Sequence, residues 1–257
     1  MRLFDTHLHL DAPVFDSDWQ AVWEHAGNAG VVYGANASAF PPTWELTLNY
    51  AKRIPNFLPC IGIHPMVADR GTPEILTQMK SLLSSHKIYA ISEIGLDPLF
   101  PEIPMNIQEK VFRHQLDLSL EFQLPICLHI RKKHEDVLKI LDEYNQNPWK
   151  GIAHCFSGSL EQAHEFIKRG FLISFAGPVT NPNAKKLHRI AVNIPIEKMV
   201  IETDSPDLPP RYLNQSRNEP AFLVEVAKAL SNLRKMSLTD ITGQIFQTSC
   251  HLFGVPL

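Results

Sequence analysis

Two histidines separated by one residue, His7 and His9, end the run Leu3-Phe4-Asp5-Thr6-His7-Leu8-His9 near the start of the chain. Side chains alternate along an extended strand, so both imidazoles project to one side and Leu8 to the other. From that side they can chelate a single metal ion, although two packed, hydrogen-bonded histidines have the same spacing. Residues of the same chemistry recur after other short apolar runs. Ile61-Gly62-Ile63 leads to His64, Ile91-Ser92 to Glu93, Cys127-Leu128 to His129, Ile152-Ala153 to His154, and Val200-Ile201-Glu202-Thr203 to Asp204. Of the 12 histidines, His7, His9, His64, His129 and His154 fall at such ends. His25, His114, His164, His188 and His251 fall in stretches of helical period, where surface or packing roles are expected.

Gathering that many ionisable groups in one place costs more than packing returns, unless cations or hydrogen bonds offset the loss of water. A metal resolves the conflict. Imidazole mixed with carboxylate, with no cysteine expected in a suitable position, favours zinc, then manganese, with magnesium less natural. Cys155 adjoins His154, and alternation is expected to turn it into the core. The number of donors suggests two divalent ions, and a carboxylate can bridge cations about 3.5–4 Å apart, an arrangement that suits phosphoester cleavage. Glu93, on a central strand between the two halves of the histidine set, is the candidate bridge.

The elements that would position these groups are short β-branched runs alternating with segments of helical period. Strands are expected at Arg2–Phe4, Val31–Gly34, Phe57–Ile61, Ile88–Ser92, Pro125–Leu128, Gly151–Ala153, Phe171–Ser174 and Met199–Ile201. Eight such runs predict an α/β fold of the closed (β/α)8 TIM type, whose functional face is the carboxyl end of the strands. A helix is expected over Ile107–Phe122, with Ile107, Val111, Leu118 and Phe122 on one face. A second follows Pro220, with a stripe of Phe222, Val226, Ala229 and Leu233, and a last one over Leu238–Phe253 closes the barrel. Prolines fall at element boundaries, and no linker divides the chain, so residues 1–257 are expected to form a single domain.

A net charge of −3 excludes a protein that grips nucleic acid through bulk charge. With 44% hydrophobic and 20% charged residues, disorder is excluded as well. No stretch approaches the roughly 18 apolar residues of a membrane span. The opening Met1-Arg2-Leu3-Phe4-Asp5 leaves no room for a removable leader before His7, so a cytoplasmic location is expected. Cys60, Cys127, Cys155 and Cys250 form no Cys-x-x-Cys pair and are expected as reduced thiols.

Taken in order, Asp5-Thr6-His7-Leu8-His9, Gly62-Ile63-His64-Pro65, Ser92-Glu93-Ile94-Gly95-Leu96-Asp97, His154-Cys155-Phe156-Ser157-Gly158 and Glu202-Thr203-Asp204-Ser205-Pro206 resemble the TatD family of metal-dependent deoxyribonucleases, in the amidohydrolase superfamily of barrels. The resemblance implies that His7 and His9 hold one metal with Glu93 and Asp204, and that Glu93 bridges to a second held by His129 and His154. It implies that Asp204 orients or deprotonates the attacking water and that His64 contacts the scissile phosphate. The expected reaction is hydrolysis of DNA phosphodiester bonds, from an end or in a single strand, by a hydroxide held between the two ions. Arg131, with Lys132 and Lys133 the only basic triplet near the rim, would neutralise phosphate or simply be solvated. Alternation aims Asp5 and Glu202 inward as supports of the ligands, or as ordinary buried hydrogen-bonding groups.

Three positions depart from the family pattern: Pro98 and Asp207 stand where a tyrosine is usual, and Ile130 where a serine is usual. Of these, Asp207 bears most on substrate, because a carboxylate at the mouth repels a polyanion. The competing enzyme is an amidohydrolase-like barrel acting on an amide, lactone or other small ester. Many of those bridge their metals with a carboxylated lysine on the fourth strand, where this chain has Glu93 and its nearest lysine, Lys87, precedes the strand. A deaminase would need a glutamate soon after the fifth strand, and Glu135 falls where a helix is expected. A purely structural metal would be closed and four-coordinate, unlike so rich a rim. No obligate protein partner is indicated, and a monomer is the expectation.

Overall fold

The computed structural model describes residues 1–144, 148–213 and 217–257. Eight strands run β1 Leu3–Leu8, β2 Val31–Ser38, β3 Phe57–Ile61, β4 Ala90–Leu96, β5 Ile126–Ile130, β6 Gly151–Ala153, β7 Phe171–Phe175 and β8 Met199–Ile201. Among the described residues nine α-helices accompany them: α1 Trp19–Asn28, α2 Trp44–Arg53, α3 Pro73–Ser85, α4 Met105–Phe122, α5 His134–Asp142, α6 Leu160–Lys168, α7 Lys185–Asn193, α8 Leu223–Arg234 and α9 Leu238–Phe253. All neighbouring strands pair in parallel and in chain order, which is the TIM-type (β/α)8 topology. The seam between β8 and β1 is drawn together by the segments that follow them. The Asp204 amide donates to the His7 carbonyl at 3.0 Å and the His9 amide to the Ser205 carbonyl at 2.8 Å, so closing the barrel also sets the chemically loaded ends side by side.

Four strands extend by two residues or more beyond the runs that announce them. β1 continues to Leu8, β2 to Ser38, β4 to Leu96 and β5 to Ile130. Polar side chains look like stops in a linear reading, but inside this barrel they satisfy one another. Asn36 and Ser38 of β2 both donate to Asp11, at 3.0 and 2.7 Å. Gly34 lies within β2 rather than at its end, because the Trp23 ring fills the space of its side chain; a Cβ there would come within 2.7 Å of that ring.

Most of the core lies between the strands and the covering helices, and a second cluster fills the lower barrel. There α9 packs on β1 and β8, with Phe253 stacked on Phe4 at 5.0 Å between ring centres. On α4, Val111 and Leu118 are buried as expected, whereas Ile107 and Phe122 are only partly covered. Gln108 and Gln115 are buried on the same helix, where each grips a strand end: Gln115 brackets Ile63, beside His64, at 2.7 and 3.1 Å, and Gln108 accepts from the Asp97 amide at 2.9 Å. The stripe expected on α8 is displaced. Its buried residues are Leu223, Val226, Ala227 and Leu230, because a short 3-10 turn at Pro220–Phe222 precedes the helix and shifts its phase. Among the described residues no helix is long and apolar enough to cross a membrane.

Gly95 shows how tightly β4 and β5 are joined. It pairs with His129 at φ +149, and a Cβ would stand 1.9 Å from the His129 carbonyl oxygen. Gly95→Ala must therefore part the two strands. A loss on the order of 3 kcal/mol is expected, or roughly 6–12 °C in Tm for a chain of this size. Thermal unfolding followed by circular dichroism checks this; an unchanged Tm would show that the strands adjust freely.

Candidate metal centre

His7 comes from β1 and His9 from the residue after it, Glu93 from inside β4, and His129 from β5. His154 directly follows β6, while His64 and Asp204 lie in the loops after β3 and β8. All seven converge at the mouth of the barrel. The Nε2 atoms of His7 and His9 are 3.2 Å apart, and both face Asp204 Oδ1, at 3.6 and 3.4 Å. Glu93 stands between two groups of imidazoles. Its Oε2 lies 3.5 Å from His7 Nε2 and 3.9 Å from His9 Nε2, while its Oε1 lies 2.5 Å from His129 Nδ1, 3.3 Å from His154 Nε2 and 3.7 Å from His64 Nε2. Among the described residues three sets of donor atoms, His7 with His9 and Asp204, His64 with Glu93 and His129, and His7 with Cys127 and His154, are each compact enough to surround an ion.

The other nitrogen of each ring has a partner of its own. His9 Nδ1 meets the Ala37 carbonyl at 2.7 Å, His154 Nδ1 lies 3.0 Å from Glu202 Oε1, and His129 Nε2 lies 2.9 Å from Asp97 Oδ2. The Ala37 carbonyl and the Asp97 carboxylate call for N–H on the outward nitrogens of His9 and His129, which leaves their inward nitrogens the lone pair, an arrangement that orients imidazoles toward a metal; Glu202 meets His154 Nδ1 as an ion-pair partner without hydrogen-bond geometry. His7 Nδ1 instead meets the Cys127 thiol at 3.1 Å, so a cysteine does stand beside the cluster, contrary to the expectation from sequence. His64 differs. The Met66 amide donates to its Nδ1 at 3.0 Å, so a neutral His64 carries its proton on the Nε2 that faces the cluster.

The electrostatics show what charge the cluster favours. Burial opposes charge on Glu93, yet His154, His129 and His64 hold its carboxyl well below the usual range. Burial likewise opposes charge on His129 and His154, and the surrounding carboxylates, Glu93 for the first and Glu202 for the second, overcome it and raise these rings to about 9 and about 10. His9 rises to about 9 against the same burial, through Asp204 and Glu93. The carboxylates thus favour positive charge at the centre of the cluster, and the donor set fits divalent cations: hard carboxylate oxygens mixed with imidazole nitrogens. Burial pushes His64 down to about 3, so it stays neutral.

The remaining expected residues surround this cluster. Asp5 is fully buried below it, accepting from the Thr203 amide at 2.9 Å and the His7 amide at 3.3 Å, and burial raises its carboxyl to about 8. Glu202 accepts from the Cys155 amide at 2.6 Å besides meeting His154. Arg131 is exposed on the rim, lining a hollow with Asp204 and Asp207, and Lys133 is paired with Asp136. Cys155 does not face the core. β6 ends at Ala153, the backbone turns left-handed at Cys155 with φ 38, and the residue is half-buried in the wall of the mouth. Asp97 and Asp11 are additional. Asp97 stands in a motif noted from sequence, but its contact with His129 joins distant positions; Asp11 gathers Asn36, Ser38 and Thr43, and Asn36 in turn accepts from the Leu10 amide beside His9 at 2.6 Å.

Residues 4–254 match the family model described as TatD related DNase. The chain belongs to the TatD family. A Bacillus subtilis (strain 168) relative, named uncharacterized metal-dependent hydrolase YabD, is 38% identical over 98% of this chain and 99% of its own length. The Escherichia coli K12 relative YjjV, also named an uncharacterized metal-dependent hydrolase, is 31% identical over 99% of both chains. The crystal structure of the TatD homologue YjjV superimposes with a TM-score of 0.94, at 29% identity and 99% coverage of each chain. A TatD family hydrolase from Entamoeba histolytica shares the fold, with a TM-score of 0.89 over 98% of both chains at 22% identity. This TatD chain is accordingly a metal-dependent hydrolase.

Proposed function

We propose that the chain hydrolyses phosphodiester bonds of DNA, trimming a single strand from an end, with two divalent cations in the cluster, zinc before manganese or magnesium. The observation that carries this reading is the position of Glu93, with one oxygen toward His7 and His9 and the other toward His129 and His154. His7, His9, Asp204 and Glu93 would hold one ion, and Glu93, His129 and His154 the other. When bound, such a pair makes water acidic near neutral pH and stabilises charge on the attacking and leaving oxygens.

Within that frame each side chain has its own work. Asp204 takes the proton of the attacking water. His64, neutral and with N–H on Nε2, donates to a phosphoryl oxygen. Glu202 and Asp97 hold His154 and His129 in register, and Asp5 fixes the Thr203 backbone that leads into Asp204. Arg131 meets phosphate at the rim. We place the enzyme in the cytoplasm, acting as a monomer on one folded unit.

Metal-reconstituted protein should release mononucleotides from single-stranded DNA, and a chelator should abolish the activity. Substrates with the 5′ or the 3′ end blocked, RNA, phosphomonoesters, lactones and amides complete the comparison. Turnover of a lactone or amide with none of DNA would replace this reading by the small-ester one, which Asp207 at the mouth favours.

Asp207 gives a prediction of its own. It is exposed beside Asp204 in the walls of the hollow over the cluster, where it repels an incoming strand. Removing one exposed charge of this kind is worth about 1 kcal/mol, so Asp207→Asn should lower the KM for oligonucleotide about five-fold at low salt and less at high salt. Initial rates at two ionic strengths measure this, and an unchanged KM at both would place Asp207 away from the strand.

A further inference from the structure

A second hollow of about 370 Å³ opens beside the cluster, between the loops after β6 and β7 and helix α7. Its volume is that of a small-molecule site, commonly about 300–1,000 Å³. Phe156, Phe175, Pro178, Leu187 and Ile190 give it an apolar lining. Lys185 and Lys186 and the amide of Asn183 stand at exposed positions of its wall. Lys186 Nζ donates to the Ser157 carbonyl at 2.8 Å, which ties α7 to the loop after β6. Cys155 and Ser157 belong both to this hollow and to the one that contains His129, His154 and Asp204. The two spaces therefore share a wall.

We infer that this hollow receives a nucleobase of the DNA strand whose phosphodiester lies at the metal cluster. The inference rests on the phosphodiesterase reading above and adds a base-binding compartment to it. A nucleobase has apolar faces and a polar edge, matching an apolar lining with an amide at its mouth. The Asn183 side chain offers both a donor and an acceptor, so it meets the edge of any of the four bases. Lys185, exposed in the wall of the hollow, would neutralise the phosphate joined to that base, and cationic rims that track a backbone beside apolar base platforms are a general solution for single strands. A lone lactone or amide held at the cluster would leave this second compartment unused.

The test uses single-stranded DNA in which one nucleotide at a time, counted from the cleaved end, is abasic. For the wild-type enzyme, one position close to the scissile phosphate should raise KM about ten-fold when its base is removed, the scale of losing one stacked base. Ala184→Trp, which fills the hollow, should raise KM about ten-fold for the complete strand and add little when that base is already missing. Leu187→Ala, which widens the hollow, should show the same non-additivity with a smaller effect and serves if the tryptophan variant does not fold. Lys185→Gln should reduce the slope of log KM against log salt by about one. Effects of variant and abasic site that simply add, or an enzyme indifferent to every abasic position, would overturn the inference while leaving the hydrolysis of DNA intact. A wild-type enzyme that cleaves neither complete nor abasic strands would overturn both.

Discussion

Asp204→Asn is expected to lower kcat on single-stranded DNA by about 10³-fold, within the roughly 10²–10⁴ supplied by a positioned general base, with KM nearly unchanged. The carboxylate is 14% exposed against 5% for Glu93, so it is the more accessible of the two acidic groups of the cluster. Its contacts with the imidazoles of His7, His9 and His154 are all made by Oδ1. On the proposed reading Oδ2 is then the oxygen that would take the proton of the attacking water. Asparagine keeps the shape and one oxygen ligand but cannot accept that proton. The Asp204 amide that helps to close the barrel belongs to the backbone and survives the change, so the variant should fold. Single-turnover and steady-state rates on the same oligonucleotide separate the two constants; a kcat within ten-fold of wild type would remove Asp204 from proton transfer.

The sequence disclosed the ring of strands and the seven converging side chains because both lie in local order. A β-branched run marks each strand, and the reactive residue follows it within a few positions. Contacts between distant segments left no comparable trace. Asp97 meets His129 through the pairing of β4 with β5, and Cys127 meets His7 across the barrel, and no periodicity marks either pair. Gln108 and Gln115 broke the apolar face expected of α4, yet this polarity is what lets the helix hold the backbone at Asp97 and Ile63. Cys155 departs from its expected facing for a related reason: alternation holds only as far as a strand continues, and β6 stops at Ala153. The phase of α8 failed by one residue where a proline turn, invisible to a helical pattern, intervened.

On the proposed two-ion reading Glu93→Gln should have the broadest consequence, because one carboxylate would serve both sets of ligands. The neutral amide cannot bridge two cations through charged oxygens, so metal content should fall from two equivalents to at most one. Activity should fall by more than about 10³-fold, beyond the loss of a single electrostatic stabiliser. Stability should record the same event. A ligand at 1,000 times its Kd stabilises the native state by about 4 kcal/mol, or roughly 8–16 °C in Tm for a chain of this length. Adding metal to stripped wild-type protein should reach that range, and the same addition to Glu93→Gln should give half of it or less. Glu202→Gln supplies the contrast, since among the rings of the cluster Glu202 meets His154 alone, at its outward nitrogen: metal affinity should drop about 10–100-fold while two equivalents still bind at saturation. Elemental analysis with metal titrations of Tm reads all three proteins. If Glu93→Gln retained two equivalents and the full thermal shift, the bridge would have to be sought in another residue.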